Sequence, residues 1–153
     1  MAEPPQRRRI LPPVYFLCAL AAMVLLDRFL PLATLIEPPL TYLGWLPFGL
    51  AVAVALAVNW QFKKAGTPIK PFQVSTALVT TGPFAYSRNP IYLGMIVGLL
   101  GIFVVLGSLS PLFVVPLFAY LIRTRFIAVE EPMLEQAFGA AYADYKSRVR
   151  RWL

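Results

Sequence analysis

The chain has 153 residues, a formal net charge of +7 and a mean hydropathy of +0.69, and 59% of its residues are hydrophobic whereas 14% are charged. Such a chain has too little polar surface to enclose a water-soluble globule of this size, so we expect a membrane protein. It contains no histidine and one cysteine, Cys18, which excludes a histidine-based triad, a histidine metal site and an intramolecular disulfide. Its basic residues lie beside the apolar segments, which favours orientation in a bilayer over nucleic-acid binding.

Two apolar segments in the first half of the chain predict membrane-spanning helices. The first, residues 14–30, follows a basic tail at residues 1–13. The second, residues 40–60, follows a proline-rich linker without lysine or arginine and leads into a basic loop at residues 61–90. Because lysine and arginine are concentrated on the cytoplasmic side of membrane proteins, the tail and the loop are predicted to be cytoplasmic.

The second half of the chain predicts a helical hairpin followed by an amphipathic helix. Residues 91–106 and 111–127 are apolar and are joined by a polar turn at residues 107–110. The first helix of the hairpin, with its flanking residues, rises roughly 27 Å, about the hydrocarbon thickness of a bilayer, so the segments before and after the hairpin should meet at one face. Residues 128–153 carry apolar side chains at helical spacing and end in a basic cluster. The expected fold is therefore an all-α integral membrane bundle of four transmembrane helices plus a C-terminal amphipathic cytoplasmic helix, in a single domain.

A polar turn leads into the third helix. Pro90 suits the first helical position because it has no N–H, and Asn89 suits the N-cap because its side chain can accept a hydrogen bond from a free amide. Arg88 and the positive end of the helix dipole then provide a binding position for an anionic group at a membrane surface. The simpler interpretation is a capped membrane helix with an interfacial arginine.

Glycines in the later helices predict packing and a break. Gly94, Gly98 and Gly101 lie on one face of the third helix, which is typical of close packing against a neighbouring helix. Gly139 is expected to interrupt the C-terminal helix.

Two segments with recognisable patterns flank the hairpin. Residues 82–94, GPFAYSRNPIYLG, are similar to the pattern R-H-P-x-Y-x-G, and residues 130–145, EEPMLEQAFGAAYADY, are similar to E-E-x-x-L-x-x-x-F-G-x-x-Y-x-x-Y. Together they resemble the isoprenylcysteine carboxyl methyltransferase and phospholipid methyltransferase superfamily of integral membrane enzymes, over about residues 62–152. Residues 65–67, followed by proline, resemble bacterial members, which implies a bacterial inner membrane. Asn89 stands where better-known members have histidine, so a role that needs an imidazole is excluded there.

This resemblance implies a cytosol-facing site for S-adenosylmethionine, built from the loop before the third helix and the segment after the fourth. The N-terminus of the third helix, with Arg88 and Asn89, suits the carboxylate of this cofactor. Either adjacent glutamate, Glu130 or Glu131, can accept hydrogen bonds from its ammonium or ribose hydroxyls. The tyrosines offer ring faces and hydroxyls to its adenine or sulfonium. The expected cofactor-binding residues are Gly82, Tyr86, Arg88, Asn89, Tyr92, Gly94, Glu130, Glu131 and Tyr142.

The expected reaction is methyl transfer to a lipophilic acceptor that enters sideways from the bilayer. Because this transfer needs no covalent protein intermediate, positioning and the exclusion of water can supply most of the rate. Arg123 and Arg125 are candidate catalytic residues that orient an acidic head of the acceptor, and each is alternatively a cytoplasmic anchor. Membrane lipids are the other expected partners. The sequence identifies neither the acceptor nor the oligomeric state.

Two other functions remain open from the sequence. Membrane sterol reductases are similar around R-H-P-x-Y and use NADPH, but the short chain and the adjacent glutamates favour the methyl donor. A non-catalytic membrane scaffold, whose glutamates pair with Arg123 and Arg125, would bind neither cofactor. Two polar segments brought together by a hairpin are more than anchoring requires, which favours an enzyme.

Overall fold

The computed structural model of the chain describes residues 10–66 and 76–153. Most of the predicted basic tail, with its three arginines, lies outside the described residues, as do Thr67 and Lys70 of the predicted loop. Within the described ranges the regular secondary structure is helical, apart from an isolated antiparallel bridge between Thr34 and Ser108. The all-α fold class is therefore confirmed.

The helices follow the apolar segments of the sequence closely. They are α1 at Pro12–Phe29, α2 at Trp45–Ala65, α3 at Pro90–Leu106, α4 at Val114–Ile122 and α5 at Ala128–Arg148. Helices α1, α2 and the joined α4 and α5 are long and apolar enough to cross a membrane, whereas α3 is a shorter apolar helix of 17 residues. The described ranges thus contain three candidate spans, and the count of four stays a prediction that depends on α3.

Helices α4 and α5 follow each other without a break as far as a kink at Gly139, within an apolar helical stretch that spans Ser110–Arg148. A π-helical segment, Arg123–Ile127, joins them without a break. The predicted boundary between residues 127 and 128 is therefore not an interruption, and the C-terminal helix directly continues the preceding apolar helix. Gly139 has φ 49° and ψ −121° inside α5, which confirms the predicted interruption at that residue.

Helix α3 packs closely against α2 and the turn before it. A Cβ atom added to Gly101 would lie 2.6 Å from the carbonyl oxygen of Gly44, and one added to Gly98 would lie 3.3 Å from the Cβ of Ala51. Gly94 is buried on the same face, in ordinary contact distance of Ala51. The predicted close packing of this face is confirmed: a side chain at Gly101 would collide with the backbone and one at Gly98 would be tight, whereas a Cβ atom at Gly94 would lie in ordinary contact.

The apolar core lies between α1, α3 and the joined α4 and α5. Its most buried side chains include Met23, Leu99, Phe118, Ile122 and Phe126. Many leucines and valines on the outer faces of α1 and α2 are exposed. This distribution fits a bundle surrounded by lipid, which is as apolar as these side chains.

A turn at the end of α3 sets the direction of the chain. Gly107 has φ 79°, a left-handed conformation that favours glycine. The neighbouring Ser108 hydroxyl donates a hydrogen bond to Oδ1 of Asp27 at 2.6 Å, which ties the turn to α1. The chain then reverses into α4, so the residues before α3 and those after α4 lie at the same end of the bundle.

Candidate functional site

The two segments predicted to meet at one face are in direct contact. Nη1 of Arg88, just before α3, lies 3.2 Å from Oε1 of Glu131 in the first turn of α5. The Tyr92 hydroxyl in the first turn of α3 donates to Oε1 of Glu130 at 2.8 Å. The side chains of Arg88 and Glu131 are only 10% and 12% exposed. Residues far apart in the chain therefore form one partly buried polar site.

Glu131 is held by two arginines. Nε and Nη2 of Arg151 donate to its two carboxylate oxygens at 3.0 and 2.6 Å, in addition to the contact from Arg88. A planar guanidinium that binds both oxygens of a carboxylate makes a strong and directional pair. These bonds to Glu131 favour the charged guanidinium and raise the pKa of Arg151 above its ordinary value. The carboxylate of Glu131 thus has both oxygens engaged by cations.

Glu130 has a different environment from its neighbour. Its Oε1 accepts from Tyr92, and no arginine or lysine of the described ranges forms an ion pair with it. Its second oxygen keeps its full capacity to accept hydrogen bonds. The two adjacent glutamates are therefore not equivalent, and Glu130 is the one with an oxygen to offer a ligand.

Two tyrosines of α5 contact the segment before α3. The Tyr145 hydroxyl donates to the carbonyl oxygen of Phe84 at 2.7 Å, and Nη1 of Arg88 donates to the Tyr142 hydroxyl at 3.4 Å. Both tyrosines are buried. Because the Tyr142 ring is enclosed by protein, the group that Tyr142 presents to the site is its hydroxyl.

The turn before α3 is bound to the C-terminal segment. The Ser87 hydroxyl and Nδ2 of Asn89 donate to the carbonyl oxygen of Arg151 at 3.2 and 3.1 Å, and the amide of Arg88 donates to the carbonyl oxygen of Arg150 at 3.0 Å. Asn89 occupies the N-cap position as predicted, but its side chain makes no capping hydrogen bond. The predicted capping bond is wrong, and the side chain is instead positioned by its Nδ2, which donates to the distant carbonyl oxygen of Arg151.

Three other predicted cofactor residues lie at the margin of this site. Tyr86 is exposed. Gly82 has φ 59° in the short helical turn before Tyr86, and a Cβ atom there would collide with the side chain of Gln61. Gly94 faces α2. For Gly82 the structure thus provides a local reason for the glycine, in its positive φ and its contact with Gln61.

The two predicted catalytic arginines are not brought into contact with the glutamates. Arg123 and Arg125 are exposed on the π-helical segment and form no hydrogen bond or ion pair with described residues through their side chains. The pairing of the glutamates with these arginines, which the scaffold alternative assumes, is not found, because Glu131 pairs with Arg88 and Arg151 and Glu130 accepts from Tyr92.

Sequence reasoning missed the part played by Arg151, because the basic cluster to which it belongs suits both a helix C-terminus and anionic lipid headgroups without any side-chain partner. Its partner Glu131 lies 20 residues earlier, beyond the interruption at Gly139, so no helical spacing rule connects the two. We call the assembled group the polar cluster: Arg88, Tyr92, Glu130, Glu131, Tyr142 and Arg151.

Comparison with protein families matches residues 40–141, more than half of the chain, to the phospholipid methyltransferase family. The chain belongs to the phospholipid methyltransferase family. The matched range of this family member includes Arg88, Tyr92 and both adjacent glutamates, whereas Arg151 lies beyond it.

A relative of this methyltransferase family member is the protein-S-isoprenylcysteine O-methyltransferase of Schizosaccharomyces pombe (strain 972). It is 33% identical over 72 residues, which are 47% of the present chain and 30% of the relative. The match therefore spans less than a third of that protein's length. No solved structure matches the chain significantly.

Proposed function

We propose that this membrane protein transfers a methyl group from S-adenosylmethionine to a lipophilic acceptor in the bilayer. The observation that carries the proposal is the contact of 3.2 Å between Arg88 and Glu131, which unites the two segments that resemble methyltransferase patterns. Membership of the phospholipid methyltransferase family supports methyl transfer on a membrane substrate. The methyl donor, the type of acceptor and the roles of individual residues are parts of the proposal.

The polar cluster has hydrogen-bonding groups that lack protein partners in the described part of the chain, and these suit S-adenosylmethionine. Nε of Arg88 is buried and has no hydrogen-bond partner among the described residues. A buried donor without a partner is costly, so an anionic group placed beside it would be favoured. The first amides of α3 also lack acceptors within the helix and lie at its positive end. These donors would hold the cofactor's carboxylate.

Glu130 would take the cationic or hydroxylic part of the same cofactor. Its free oxygen can accept from an ammonium or a ribose hydroxyl. Glu131, in contrast, has both oxygens engaged by arginines, and we assign it the role of orienting Arg88. The sequence alone does not distinguish the two glutamates, whereas their surroundings in the folded protein do.

The chain's contribution to the reaction is positioning and shielding. When bound, the cofactor would supply an electrophilic methyl group to an oxygen, nitrogen or sulfur atom of the acceptor. Tyr92 is fixed by its bond to Glu130, and its ring packs against Phe126 with a centroid separation of 6.1 Å. This apolar side of the site would exclude water, and correct alignment inside it would provide much of the rate enhancement.

The proposal places the site on the cytoplasmic side of the membrane. The ring of Phe62 near the end of α2 lies 5.6 Å from that of Phe84, so the end of α2 is close to the polar cluster. Lys63 and Lys64 follow directly and favour that side by their charge. Arg123 and Arg125, with no described partners, remain candidates for orienting an acidic acceptor head.

The test is isotopic methyl transfer from labelled S-adenosylmethionine into a total lipid extract, with the product identified by mass spectrometry. The native protein should form a labelled lipid and bind S-adenosylhomocysteine but not NADPH. Glu130→Gln should weaken S-adenosylhomocysteine binding about tenfold, the loss expected for a hydrogen bond to a charged group. Glu135→Gln is a matched control, because Glu135 is exposed on α5 and its partner among the residues that the structure describes is Lys146. Absence of both product and binding in the native protein refutes the proposal, and preferential NADPH binding replaces it by a reductase.

A further inference from the structure

After α5 the chain continues alongside the polar cluster. Val149 ends the helix in an extended conformation, with φ −120° and ψ 129°. Trp152 is partly buried and packs against the apolar core. We call residues 149–152 the C-terminal strap. It is anchored at both ends, by the helix on one side and by the indole ring on the other.

The main chain of the strap binds the turn that carries Arg88. The carbonyl oxygen of Arg150 accepts from the Arg88 amide at 3.0 Å. The carbonyl oxygen of Arg151 accepts from the Ser87 hydroxyl at 3.2 Å and from Nδ2 of Asn89 at 3.1 Å. Three consecutive residues of the turn are thereby fixed to two consecutive residues of the strap.

The side chain of Arg151, in the strap, binds Glu131 on the α5 side of the site. The Arg151 guanidinium contacts both oxygens of Glu131, and Glu131 in turn contacts the Arg88 guanidinium. One residue, Arg151, therefore touches the α3 turn through its backbone and the α5 carboxylate through its side chain. This double contact sets the separation between Arg88 and Glu131.

We propose that Arg151 is a positioning residue for the methyl-donor site, acting through Glu131 and the turn at residues 87–89. This inference rests on the proposed function. It also gives Asn89 a structural role, because its side-chain amide donates to the carbonyl oxygen of Arg151 in the strap. The strap positions Arg88, and Arg88 is the group that meets the ligand.

The neighbouring Arg150 provides a matched control for this role. Its side chain is exposed and forms no hydrogen bond or ion pair within residues 10–66 and 76–153. Its carbonyl, which binds Arg88, survives replacement by alanine. Arg150→Ala therefore removes the same charge from the same segment and leaves the contacts of the strap intact. A general attraction to anionic lipid would be weakened equally by both substitutions.

The experiment compares Arg151→Ala, Arg151→Lys and Arg150→Ala in the full chain. Calorimetry gives the Kd and the binding stoichiometry for S-adenosylhomocysteine, and initial rates give the KM for the methyl donor. A hydrogen bond to a charged group contributes about 10- to 100-fold in affinity, so Arg151→Ala, by displacing Arg88 from the bound carboxylate, should raise the Kd and the donor KM by about that factor. Lysine restores the charge but not the two-pronged contact, so Arg151→Lys should recover only part of the loss. Arg150→Ala should stay within about twofold of the native protein.

A merely structural role for Arg151 gives a different result. Loss of folded protein lowers the binding stoichiometry and the maximal rate, but it leaves the Kd and the donor KM of the remaining molecules unchanged. Native Kd and KM values in folded Arg151→Ala would overturn the inference. Equal effects of Arg151→Ala and Arg150→Ala would also overturn it.

Hydrogen exchange of the protein without ligand separates this inference from the proposed function. The Arg88 amide, protected by its bond to Arg150, should exchange faster in Arg151→Ala and at the native rate in Arg150→Ala. If the native protein binds no methyl donor, the proposed function fails, and this measurement alone decides whether the strap holds the turn. Faster exchange in Arg151→Ala alone supports the strap, and equal rates in the two variants refute it.

Discussion

Replacing Glu131 by glutamine tests the ion pair at the centre of the polar cluster. Glutamine has nearly the same shape, keeps one acceptor oxygen and loses the negative charge. In the variant, an NH₂ group would face one guanidinium, and both Arg88 and Arg151 would lack their counter-charge. The expected outcome is a large loss of stability from a change that removes no packing.

The magnitude follows from the burial of the three side chains. Removing one partner of a buried ion pair costs about 3–5 kcal/mol because it leaves an uncompensated charge. Glu131 and Arg88 are only 12% and 10% exposed, but Arg151 is 37% exposed and can recover part of its loss from water. We therefore expect Glu131→Gln to lower the free energy of unfolding by about 3 kcal/mol.

The matched control is Asp144→Asn, which removes a carboxylate from the exposed pair with Arg148. These side chains are 64% and 65% exposed, although their contact is also 2.6 Å. Exposed pairs contribute about 0–1 kcal/mol, so this control should be nearly neutral. Denaturation of detergent-solubilised protein, followed by tryptophan fluorescence, measures both variants under identical conditions. Equal losses of stability in Glu131→Gln and Asp144→Asn would refute the reasoning, because burial would then make no difference.

Two further substitutions test other contacts of the site and the fold. Tyr92→Phe removes the hydroxyl that donates to Glu130. We expect kcat/KM for methyl transfer to fall about tenfold, as for the loss of a hydrogen bond to a charged group. An unchanged kcat/KM would contradict a role of Tyr92 in holding Glu130. Gly101→Ala would place a methyl group 2.6 Å from a backbone oxygen and should destabilise the bundle by about 3 kcal/mol or more, whereas Gly49→Ala, with open space around it, should not. The same denaturation assay checks this pair, and equal stability of the two variants would contradict close packing at Gly101.

The contact between the two polar segments was predictable from the sequence because it depends mainly on helix length. Helix α3 occupies Pro90–Leu106, one residue from the predicted start, and Gly107 turns the chain where a polar turn was expected. Given these bounds, the rise of a helix fixes which residues share one end of the bundle. Arg88 and Glu131 therefore meet as predicted.

The side-chain partners within that contact were less predictable. Asn89 has the right residue type for a helix cap, but a carbonyl 62 residues later binds its amide. Arg151 lies in a basic cluster of the kind that binds lipid headgroups, but it pairs with Glu131. Local propensity describes what a residue does in the absence of tertiary partners, and both of these positions have such partners. The different environments of Glu130 and Glu131 likewise arise only after folding.

The π-helical segment at Arg123–Ile127 determines the rotational phase of everything that follows it. A π turn accommodates one more residue than an α turn, and such bulges often occur at functional sites. Each residue of an α-helix advances the chain by about 100° around the axis, so deleting a single residue here would swing the carboxylates of α5 away from α3. The extra residue thus lets the joined α4 and α5 present apolar side chains to the bundle and, one turn later, direct Glu130 and Glu131 at Tyr92 and Arg88.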